Sequence, residues 1–156
     1  MASIKRHTMK PIDYPLTKVF ETQFLVDIDE TITSAFRQIE NELPIALTLV
    51  DETNWTLLTT RQIVSNIEGN VKQTLTENVV EKKWNDFKGY KDKSTTLGQL
   101  TLADNTTLDF IIETGKASMI VIYGIMTLTG KETSTKEQVN KTLSRYQNRG
   151  FFDQPD

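Results

Sequence analysis

Two stretches of this 156-residue chain combine residue types able to act on another molecule. The first holds Lys82, Lys83, Trp84, Phe87, Lys88, Tyr90, Lys91 and Lys93. Cations interleaved with rings can grip an anionic partner, the lysines pairing with its charges while the rings insert or stack. Glu81, Asp86 and Asp92 dilute that charge. A solvated loop whose Trp84 and Phe87 fold back onto a core accounts for the same composition, and is favoured. The second stretch reads Phe24, Leu25, Val26, Asp27, Ile28, Asp29, Glu30, Thr31, Ile32, with two carboxylates spaced by one residue behind an apolar run.

The rest of the composition removes most other chemistry. There is no cysteine, so disulfides, thiolate nucleophiles and zinc–sulfur sites are excluded, and a reducing, cytoplasmic compartment is expected. The single histidine, His7, sits in a polar N-terminal stretch, which takes away the usual metal ligand and general base. No metal and no cofactor are therefore expected. A formal charge of -3 gives no global field toward nucleic acid or an anionic bilayer, so a nucleic-acid partner is not expected. No secretory signal is legible, and the longest apolar stretch, 117–128, is far below the roughly 20 residues needed to span a bilayer. At 37% hydrophobic and 25% charged, the chain has the balance of one ordinary globular domain.

Stepping outward from these residues, Leu16, Phe20, Phe24, Ile28, Ile32, Phe36, Ile39 and Leu43 recur at helical spacing, with Glu21, Asp29, Glu30, Thr33, Arg37 and Glu40 between them. That pattern predicts a long amphipathic helix over 16–44, ended by Pro44. From Ile45 the period becomes two. Strands are predicted at 45–49, 55–59, 62–67 and 71–75, with a turn at 51–54 and a hairpin signal at Glu68, Gly69 and Asn70. The lysine-rich stretch reads as a loop with a strand end inside it. Leu100 and Leu102, then Leu108, Phe110 and Ile112, form another hairpin around Asp104 and Asn105. The run 117–128 is apolar on nearly all sides and predicts a buried helix, with a last strand as the alternative; it could also be a self-association face. Val139, Leu143 and Tyr146 suggest a terminal helix. Trp55 and Phe110 are expected in one core, and Arg61 beside a carboxylate.

Trp55, Leu57, Leu58, Thr59 and Arg61, followed by a strand and Gly69, resemble the second and third strands of bacterial pleckstrin-homology-like and GRAM-like domains. Leu100, Leu102, the strand 108–112 and Gly115 before the apolar helix resemble their closing half. The resemblance covers roughly 45–128. It implies an α+β, mostly β fold: an antiparallel half-open barrel capped by a C-terminal helix, acting as a binding module and not an enzyme. In lipid-binding members the loop joining the first two strands is basic and cradles phosphates. Here that loop is Asp51, Glu52, Thr53 and Asn54, which opposes phosphoinositide binding.

The stretch 24–32 resembles the first signature of haloacid-dehalogenase-type phosphatases. That resemblance implies Asp27 as nucleophile and Asp29 as acid and base beside magnesium, with Thr59, Lys83, Asp104 and Asp109 completing the site. Such a nucleophile strand should be buried on both faces and almost wholly apolar, whereas Glu21, Thr22 and Gln23 precede this one. Helical spacing also runs through the motif, and consecutive hairpins replace the alternating strands and helices that family needs. The favoured expectation is thus a non-catalytic interaction or assembly module: a tail at 1–15, a helix at 16–44, a β domain with capping helix at 45–130, and a helix and tail at 131–156. Its expected partner is a protein or a second copy, with an anionic membrane surface as a lesser candidate.

Overall fold

The computed structural model of the protein describes residues 14–20, 28–89 and 92–133, with side chains to residue 130. Among the described residues eight strands form two antiparallel sheets. β1 (Thr17–Val19), β2 (Pro44–Asp51), β3 (Asn54–Thr59), β4 (Gln62–Ile67) and β5 (Asn70–Leu75) lie side by side in chain order. β6 (Val79–Lys83), β7 (Thr95–Leu102) and β8 (Thr107–Glu113) make the second sheet. The C-terminal helix α2 (Ser118–Thr133) follows, which settles the 117–128 run as helix. The architecture is α+β and mostly β, in two sheets and not a closed barrel.

Local chemistry explains the hairpins. Between β4 and β5 the chain reverses through Glu68 and Gly69, both at positive φ (53° and 81°), as a two-residue hairpin turn requires. Asp51 closes the β2–β3 turn by accepting from the Thr53 amide at 2.8 Å and from Asn54 Nδ2 at 3.0 Å. The sheets are tied together where the Ile111 amide donates to Thr56 Oγ1 at 2.8 Å, and where the Leu16 amide donates to Glu113 Oε2 at 3.2 Å.

Two hydrophobic clusters occupy opposite faces of the five-stranded sheet. Leu58 and Ile63 on one face meet Leu100, Leu108, Phe110 and Ile112 of the second sheet and Val121 and Ile125 of α2. On the other face Leu47, Trp55, Leu57 and Val64 are covered by Ile28, Ile32 and Phe36. Trp55 and Phe110 are both buried, as expected of anchors, but belong to different clusters and not to one core. Burying each such side chain stabilises the fold by about 1.5–3 kcal/mol.

The long helix predicted over 16–44 does not form among the described residues. β1 pairs with β2, the Phe20 amide donating to the Ile45 carbonyl at 3.0 Å. The only helix among the described residues of that span is α1 (Glu30–Thr33), one turn long, and Asn41 at φ 62° breaks any helical continuation. Pro44 opens β2 instead of ending a helix. The physical reason is competition. Thr17 and Val19 are β-branched and weak helix formers, and the edge of β2 offers their backbone other hydrogen bonds. The four-residue spacing of Ile28, Ile32 and Phe36 was still informative, because all three bury against the sheet. The terminal helix expected from Val139, Leu143 and Tyr146 lies outside the described residues.

Candidate functional site

The residues of the phosphatase-like pattern occupy unrelated places. Asp29 is the N-cap of α1, its Oδ1 accepting from the Thr31 amide at 2.8 Å and the Thr31 hydroxyl at 2.6 Å. These two bonds hold its carboxyl below the usual range. Thr59 is buried at the end of β3, Lys83 ends β6 beside Glu81 at 3.9 Å, and Asp104 accepts from Thr106 in the β7–β8 turn. Asp109 stands on β8, not on a helix, and accepts from Gln99 Nε2 at 2.9 Å. Asp27 lies outside the described residues. Asp29, Asp104 and Asp109 line three different clefts. Among the described residues no three acidic or histidine side chains gather where they could hold a metal ion.

The lysine and aromatic stretch contains the strand end expected of it, and its Trp84 folds back as expected. Part of it is not a loop: Glu81, Lys82 and Lys83 belong to β6, which pairs with β7 alone and is an edge of its sheet. Charged side chains on an edge strand discourage pairing with another chain. Trp84 folds back, its ring meeting Phe110 edge to face at 6.2 Å and 82°. Gly98 pairs with Phe110 across the sheet and leaves room for the ring; a Cβ there would stand 2.3 Å from Cζ of Phe110. Phe87 is half-buried and Lys88 exposed; Tyr90 and Lys91 lie outside the described residues. Trp84 therefore packs its ring against the core, which leaves Phe87 as the partly open described ring beside Lys88.

A buried polar knot was missed altogether. Glu42, only 5% exposed, accepts from the Ile39 amide at 3.0 Å, from Gln62 Nε2 at 3.1 Å and from the Thr59 hydroxyl. Gln73 continues it, donating to Gln62 Oε1 at 2.9 Å and accepting from the Arg37 amide at 3.0 Å. The knot pins residues 37–42 across β3, β4 and β5. It is closed on itself, so it reads as structure. Arg61, expected beside a carboxylate, is exposed and forms no ion pair among the described residues; the one found there joins Lys83 and Glu81.

The surface that remains unexplained is the outer face of α2. One side of the helix buries Val121, Ile122 and Ile125, and Gly124 brings it close to Leu58, where a Cβ would stand 2.5 Å from Leu58 Cδ2. The opposite side is largely apolar and uncharged: Met119 and Ile120 are half-buried, Tyr123 is 61% and Met126 47% exposed, and the exposed Thr127 lies among them. A helix that is apolar all round is ordinarily covered all round. No described helix is long and apolar enough to cross a membrane. No family model, no curated protein and no solved structure matches the chain.

Proposed function

We propose that the chain is a non-catalytic interaction or assembly module of bacterial pleckstrin-homology-like build, acting in the cytoplasm and docking through the outer face of α2. The observation that carries the reading is that face: Met119, Ile120, Tyr123 and Met126, uncharged and partly open to solvent. The strand order supports the build, with β2–β5 as one antiparallel unit, β6–β8 as another, and a helix packed over the core between them. The turn after β2 is acidic, so a phosphate headgroup is a poor fit there.

A second copy of the chain is the occupant that suits the face. Uncharged helical faces meet across a two-fold axis without like charges opposing one another, and an isologous contact needs only one such patch. An anionic membrane would instead call for a helix rich in lysine and arginine along its polar side, whereas Met119–Thr127 contains none and only Lys116 and Lys131 flank it. One face of a 16-residue helix is a small interface, so association should be weak and concentration-dependent. Light scattering across the micromolar range tests this with Tyr123→Glu and Met126→Glu. A wild-type dimer that both substitutions convert to monomer is expected. A wild type that stays monomeric, or variants that lose thermal stability without changing mass, would contradict it, the latter by placing the face inside the monomer.

A further inference from the structure

A cleft of about 490 Å³ opens on the other side of the five-stranded sheet, between α1 and the β2–β3 hairpin. Its walls are apolar, formed by Ile32 of α1, Leu49 and Val50 of β2, and the buried Trp55 of β3. Leu49 and Val50 are 41% and 43% exposed, so the hydrocarbon surface faces outward. Asp29, Asp51 and Glu52 contribute carboxylates to the same cleft, and among the described residues no lysine, arginine or histidine lines it. Asp29 keeps Oδ2 outside its capping bonds, and Glu52 is exposed.

A separate observation asks for a donor in the same place. Asn66 lines the cleft from β4, directly across the sheet from Trp55, and is only 6% exposed. Its Oδ1 is buried and accepts no hydrogen bond. A buried acceptor left unsatisfied costs about 1–3 kcal/mol, so natural folds rarely keep one without a use. The charged groups of the lining are all carboxylates, the Thr31 hydroxyl there already donates to Asp29, and Ile32, Ala35, Leu49 and Val50 supply hydrocarbon. The volume is within the usual range of small-molecule sites, on the order of 300–1,000 Å³.

The geometry points to a binding site for an organic cation, an ammonium or guanidinium group carried on a hydrocarbon stem. The stem lies along Leu49, Val50 and Ile32, the cationic N–H groups donate to Asn66 Oδ1 and the rim carboxylates, and no bond is made or broken. Free amines and the side chain of a lysine both supply that chemistry. The site is independent of the α2 face, which lies on α2 and not on the sheet face that carries Trp55 and Asn66.

Nitrogen–proton correlation spectra of the full chain test it, with hexylamine, Nα-acetyl-lysine amide and the anion hexanoate as probes. The Trp55 indole and Asn66 side-chain signals should shift saturably with hexylamine and not with hexanoate. Tighter binding of the lysine amide than of hexylamine assigns the source as a side chain, and the reverse order assigns it as a free amine; both support the cation site. Glu52→Gln, at an exposed position where folding is not at stake, should weaken binding about threefold, the scale of a partly exposed ion pair. Asn66→Leu should weaken it further, with Glu52→Gln as the safeguard should that variant fold poorly. Absence of saturable shifts, equal response to hexanoate, or binding indifferent to Glu52→Gln would overturn the proposal.

Discussion

Asp29, Asp51 and Asp104 do the same small task, each holding a two- or three-residue loop by accepting from backbone and hydroxyl groups just ahead of it. Those bonds favour the ionised form, and all three carboxyls sit below their ordinary value of 3.8. A folded-state value that is depressed adds stability above the unfolded value, and that stability fades as pH falls through the folded one. Asp104→Ala should therefore melt below wild type at neutral pH, and the two melting curves should converge in acid below 3.8. Thermal melts over a pH series check this. Gly98 is the sharper case, because its missing side chain is the space that Phe110 fills. Gly98→Val should cost about 1–3 kcal/mol by overpacking, and Phe110→Ala about 3–5 kcal/mol by leaving a cavity. Denaturant titration of both, and of the pair together, should show the glycine's penalty largely vanish once the ring is gone.

At the scale of elements, the hairpins were legible and the N-terminal segment was not. β3, β4 and β5 announce themselves through short β-branched and apolar runs and a Glu68–Gly69 reversal, signals that sit within a few residues of one another. The span 16–44 carries a spacing of four that a helix explains, yet one helical turn and the irregular chain around it bury Ile28, Ile32 and Phe36 without a long helix. Which backbone wins depends on the edge of β2 and on Glu42, Gln62 and Gln73, which come from three separate segments. No local pattern reports such a meeting. β6 was legible only as a strand end, because the charges that protect its edge make the rest of it look like loop. The site divides the same way. The apolar run of α2 was visible, whereas the cation cleft draws Asp29, Asp51, Trp55 and Asn66 from four places and could be assembled only in three dimensions. The knot gives this scale its prediction. Glu42→Ala strips an acceptor from the Ile39 amide and Gln62 Nε2, and should cost about 1–3 kcal/mol in equilibrium unfolding.

Taken whole, the molecule has two cores separated by one sheet, with a helix on one side that is apolar on its covered and uncovered faces alike. The separation predicts that Trp55→Ala and Phe110→Ala, in different clusters, destabilise nearly additively, within about 0.5 kcal/mol of the sum, where the double variant still folds. The apolar outer face of α2 carries the larger claim, that copies of the chain meet there. The chain contains no cysteine, so one introduced thiol is the only one present. In a two-fold contact, a residue near the axis faces its own copy. The direct measurement is the rate of covalent dimer formation under mild oxidation for Met126→Cys against Asn105→Cys, an exposed turn position remote from α2 in sequence. The account predicts rapid cross-linking through position 126 and slow, collision-limited cross-linking through position 105. Equal rates at the two positions, or none at 126, would contradict it.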